Sequence, residues 1–78
     1  MLKISVIKAK DFYKYLLKYN CEHLGTNGSH HRIKNVHNNK MSVVAIHGGR
    51  DLAPPLFAKT LKDLDININD FLDFIKNN

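Results

Sequence analysis

Carboxylates are scarce where cations are dense in this 78-residue chain. Residues 1 to 50 hold only Asp11 and Glu22 against nine lysines and arginines, whereas residues 51 to 78 hold five carboxylates against three cations. The net charge of +5 and a pI near 9.5 therefore understate a basic surface that belongs to the first two-thirds, and a polyanion is the first partner to consider. Cysteine is almost absent: a lone Cys21 excludes an internal disulfide. The opening MLKISVIKAK is too short and too interrupted by lysines for a signal peptide, so a reducing cytoplasm is the expected home. No run approaches the roughly 20 apolar residues that a membrane span requires, which sets aside a membrane partner. Repeats, linkers and low-complexity tracts are also missing, and the length predicts one domain over residues 1–78 with a modest core.

Several chemistries lack their signatures. Five histidines first suggest metal, but Cys21-Glu22-His23 and the adjacent His30-His31 pair match none of the spacings that place zinc ligands together, so no metal or cofactor is expected. Ser29 has no G-x-S-x-G context, and GTNGS lacks the lysine of a phosphate-binding loop.

What is present is organised by periodicity. Phe12, Leu16 and Tyr19 recur at helical spacing, while Lys10, Lys14 and Lys18 form a separate stripe that lines three cations along one helix face. After Asn20, CEHLGTN, HHRIKNV and MSVVAIH read as three short antiparallel strands. A period of two in the second strand places His30, Arg32 and Lys34 on one face and His31, Ile33 and Asn35 on the other. GGRDLAPP reads as a loop, and Pro54 and Pro55 suit a helix start that buries Phe57, Leu61 and Leu64. A final short helix is capped by Asn67 and turns Phe71, Phe74 and Ile75 inward. The order is one helix, three strands and two helices, an α+β layout with a three-stranded antiparallel sheet and its helices on one face.

A histidine beside Arg32 and Lys34 on an open strand face has the chemistry that RNA cleavage needs. An imidazole titrates near neutral pH and can take the proton of a ribose 2′-OH without metal, while cations steady the charge on the phosphoryl oxygens. The lysine stripe with Arg32 and Lys34 would grip an RNA backbone in a salt-dependent way.

The segment Gly28-Ser29-His30-His31-Arg32-Ile33-Lys34, with a basic helix before it and MSVVAIH, a loop and a helix ending in NDFLDFI after it, resembles the HicA mRNA interferase family of bacterial toxin–antitoxin modules. The likeness runs from about Lys8 to Ile75. It implies a double-stranded-RNA-binding-domain-like fold, α-β-β-β-α with a small extra C-terminal helix, and a metal-independent endoribonuclease that cuts mRNA and arrests translation and growth. It makes His30 the catalytic residue, gives Gly28 and Ser29 the turn that presents it, and leaves His47 or His31 as candidate helpers. By the same resemblance a HicB-type antitoxin would cover the His30 face. The RNA-binding residues expected are Lys10, Lys14, Lys18, Ser29, Arg32 and Lys34. The rival readings are a non-catalytic RNA-binding module and a small subunit whose histidine face meets only a protein.

Overall fold

The computed structural model describes residues 7–78. In chain order the elements are β1 (Ile7–Lys8), α1 (Ala9–Tyr19), β2 (Cys21–Asn27), β3 (His30–Asn35), β4 (Met41–Ala45), β5 (Asp51–Leu52), α2 (Pro54–Asp63) and α3 (Ile68–Lys76). Strands β2, β3 and β4 form an antiparallel meander with β3 in the centre. This is the expected α-β-β-β-α layout with its extra helix.

One side of the meander is dry. Ile33 and Val44 project from it into a cluster with Phe12 and Leu16 of α1, Phe57 and Leu61 of α2, and Phe71 of α3. Three phenylalanine rings sit at its centre: Phe12 lies 4.9 Å from Phe57 and 5.7 Å from Phe71, centroid to centroid. Each helix contributes its apolar stripe, so the helices stack on the same sheet face and leave the other uncovered.

Helix boundaries follow local chemistry. Pro54 and Pro55 open α2, where their missing N–H groups would have no intrahelical partner. At α3 the Asn67 side chain accepts the Asp70 N–H at 3.0 Å, the capping geometry that the spacing implies. The turn after β3 is fastened to the far end of α2, since buried Asn35 and neighbouring Asn38 both donate to the Leu64 carbonyl, at 2.9 and 3.1 Å.

The expectation of a plain loop over GGRDLAPP needs correction. Asp51 and Leu52 pair with Lys8 and Ile7 in a two-stranded antiparallel ribbon, and the Ala9 N–H donates to the Arg50 carbonyl at 3.1 Å. Two residues per strand are too few to produce a periodicity, so the pairing has no sequence signal. It ties the segment after β4 to the start of α1.

Candidate functional site

The site begins at a two-residue turn. Asn27 pairs with His30, and between them Gly28 holds φ at +63°. A glycine at the first central position, followed by a residue of ordinary φ, is the type II′ hairpin geometry, whose twist matches that of the flanking strands. His30 is therefore the first residue of β3. On its other side it pairs with Ala45, and the Ile46 N–H donates to the Ser29 carbonyl at 2.8 Å, so this backbone is hydrogen-bonded toward both neighbouring strands.

Register then sorts the side chains. His30, Arg32 and Lys34 lie on the uncovered face, opposite Ala45, Val43 and Met41 of β4 and opposite Asn27, Gly25 and Glu22 of β2. His30 and Arg32 are exposed. Lys34 is half-buried and reaches Glu22 at 3.1 Å, which offsets its charge. Among the described residues Arg32 meets no carboxylate. The same face is also apolar: Met41 and Val43 are 62% and 47% exposed, and with Leu24, Arg32 and Ser42 they line a shallow groove of about 330 Å³. Leu24 reaches this side because it is the extra residue of a β-bulge between the His23–Ile33 and Gly25–Arg32 pairs.

The opposite, helix-facing side of the hairpin carries a second group. The Tyr13 hydroxyl lies 3.0 Å from the Arg32 carbonyl and 2.6 Å from His23 Nδ1. A carbonyl only accepts, so the single hydroxyl proton goes to Arg32 and the tyrosine oxygen accepts the Nδ1–H of His23. Thr26 Oγ1 stands 3.4 Å from His23 Nε2 and 3.3 Å from His31 Nδ1. With neutral rings, the threonine proton goes to His23 and its oxygen accepts from His31. His31 also packs against the Tyr13 ring of α1, 5.4 Å centroid to centroid, and faces away from His30, although the two are adjacent in sequence. Burial raises the Tyr13 hydroxyl above its ordinary value, with a smaller push from Cys21. The Cys21 thiol is itself pushed up to about 11 by burial, against a smaller opposing effect from a backbone hydrogen bond. Cys21 is therefore a thiol, not a thiolate, at neutral pH.

The expected site residues fall on two sides of the molecule. Arg32 and Lys34 join His30, and half-buried Ser29 anchors the turn through its carbonyl. Lys10, Lys14 and Lys18 are all exposed on α1, pointing away from the sheet, so they form a separate basic surface and do not meet His30. His47 is exposed in the turn after β4, two residues beyond the partner of His30. Sequence reasoning missed the Tyr13–His23–Thr26–His31 group, because bringing Thr26 opposite His31 depends on the bulge at Leu24. The apolar groove escaped it too, since Val43, Val44, Ala45 and Ile46 run apolar on both faces and mask the period of two. Among the described residues no three histidine, cysteine or carboxylate side chains are grouped to hold a metal ion, and no helix is long and apolar enough to cross a membrane.

A double-stranded-RNA-binding-domain-like layout whose open sheet face presents His30 beside Arg32 and Lys34 defines a small α+β protein with one basic, uncovered sheet face. A comparison with protein families places the chain within that class: residues 9–66 match the model described as HicA toxin of bacterial toxin–antitoxin. The chain belongs to the HicA toxin family; it is a toxin of a toxin–antitoxin system, and its family implies an antitoxin partner. Neither the curated proteins nor the solved structures yielded a match.

Proposed function

We propose that this toxin is a metal-independent endoribonuclease that cuts mRNA, arresting translation and growth, and that His30 supplies the proton transfer. The observation that supports this most is the placement of His30: exposed, on a hydrogen-bonded backbone, one strand alternation from an arginine with no carboxylate partner among the described residues. In the reaction the ribose 2′-oxygen gives its proton to the imidazole and forms a bond to the adjacent phosphorus. The bond from phosphorus to the 5′-oxygen breaks, and that oxygen takes up a proton. Products are a cyclic phosphate and a 5′-hydroxyl. Arg32 would steady the phosphoryl oxygens as charge gathers there. His47 is the better-placed helper, because His31 faces the helices.

The antitoxin, of the HicB type, would inhibit by covering this face, since an imidazole beneath a partner cannot reach a ribose. Replacing His30 by alanine should lower the cleavage rate of a long transcript by about 10²- to 10⁴-fold and abolish growth arrest, while circular dichroism and antitoxin binding stay as in the wild type. Cleavage at the wild-type rate by that variant would refute the assignment, and loss of cleavage in EDTA would refute metal independence. The lysine stripe on α1 favours a second reading, a non-catalytic RNA-binding module, because shape recognition of duplex RNA needs mainly phosphate and 2′-OH contacts. Gel retardation with no cleavage by the wild type would select it.

A further inference from the structure

We propose that the groove formed by Leu24, Met41 and Val43 beside Arg32 is a nucleobase site, and that the substrate is unpaired RNA laid along β3. This rests on the reading of His30 as the cleaving residue.

Three observations converge on it. His30, Arg32 and Lys34 project from alternate positions of one strand, so successive side chains stand about 6.6 Å apart. An extended sugar–phosphate chain repeats over a similar distance, so a phosphate held by Arg32 places its neighbour at His30. Lys34 is already paired with Glu22, which leaves the free cationic charge of this row at Arg32. At the rung of Arg32 the face then turns apolar: Val43 is its direct partner on β4, and Met41 and Leu24 flank it. A phosphate has no use for such a surface, whereas a base carries a flat, weakly hydrated face that gains from covering it. The groove, at about 330 Å³, is roomy enough for one ring system.

Only an unpaired strand can use this arrangement. In a duplex the bases are turned inward and stacked, so none could enter the groove, and the exposed Met41 and Val43 would stay wet. The chemistry at His30 points the same way, because displacement of the 5′-oxygen requires the 2′-oxygen to line up behind the phosphorus. A flexible unpaired nucleotide reaches that alignment and a regular A-form helix does not. The double-stranded-RNA-binding-like fold would thus serve single strands through its bare sheet face.

The test uses the full chain and one labelled oligoribonucleotide in three forms: unpaired, annealed to its complement, and unpaired with abasic residues substituted one position at a time. Binding is read by fluorescence anisotropy with His30→Ala and cleavage with the wild type. The unpaired form should bind and be cut at least roughly tenfold better than the duplex, with one abasic position giving a loss of similar size. Val43→Asn and Met41→Ala should impose that loss on the intact strand and add little on the strand lacking the base at that position, the signature of a shared contact. Both side chains are exposed, so folding, followed by circular dichroism, should survive the changes. Equal binding of unpaired and duplex RNA, or equal losses with and without the base, would overturn the proposal. Loss of antitoxin binding with RNA binding unchanged would overturn it too, and would make the groove a protein interface. An absence of cleavage by the wild type refutes the endoribonuclease reading instead, while the anisotropy arm still decides for or against the groove.

Discussion

At the scale of single residues, Gly28 decides where His30 stands. Nothing lies within 4 Å of where a Cβ would be built, so an added methyl meets no clash; the cost is in the backbone, whose φ of +63° is unfavourable for an L side chain. Gly28→Ala should therefore lower stability by about 1–3 kcal/mol, read from urea denaturation, without altering the core. A change below a few tenths would show that the turn can take another form without cost. Neighbouring positions were unequally legible in the sequence. The alternation HHRIK was enough to set His30, Arg32 and Lys34 on one side, because a strand's period is fixed by backbone geometry. That His31 leans on Thr26 and shares a ring of contacts with Tyr13 and His23 was not legible, for it requires a cross-strand register that one bulged leucine shifts.

Elements were legible in proportion to their length. The three helices carry apolar residues at intervals of three and four, and α1 buries Phe12, Tyr13 and Leu16 along that stripe. Their ends were marked as well, by paired prolines at α2 and by Asn67 at α3. The cap is the testable part: Asn67→Ala removes the acceptor for the Asp70 N–H and should cost about 0.5–2 kcal/mol, visible as a lowered midpoint in thermal unfolding. An unchanged midpoint would mean that water replaces the cap fully. The short ribbon of β1 and β5 left no mark in the sequence, since its stability comes from tertiary pairing with Ile7 and Lys8 and not from any local preference. It nonetheless matters to the site, because it and the 3.2 Å hydrogen bond from Lys8 Nζ to the Gly49 carbonyl hold down the loop that follows His47.

For the whole molecule, Cys21 and Asp63 are among the groups that set limits to the pH range of stability, with the raised Tyr13 hydroxyl adding to the alkaline side. The Cys21 thiol ionises near 9.0 when unfolded and at about 11 when folded. Its contribution is thus complete below pH 9 and is lost as pH rises toward 11, because only the unfolded chain releases the proton there. The Asp63 carboxyl is held below its usual range, first by the donor from Lys59 and then by that from Ser42, against a smaller effect of burial. Its contribution is present above the ordinary value of 3.8 and is lost as pH falls through the lower folded value. Unfolding midpoints measured across pH should decline at both ends, and Cys21→Ala should flatten the alkaline decline. If that variant declines as steeply as the wild type, the thiol does not contribute and the decline belongs to other groups such as Tyr13.

The lysine stripe stands on a helix packed against one face of the sheet, and the row led by His30 projects from the other face. A ligand confined to one face therefore leaves the other open. If the antitoxin covers His30 as proposed and keeps to that face, Lys10, Lys14 and Lys18 would stay open to a polyanion, and blocking the imidazole would then be separable from holding a nucleic acid on a single small chain.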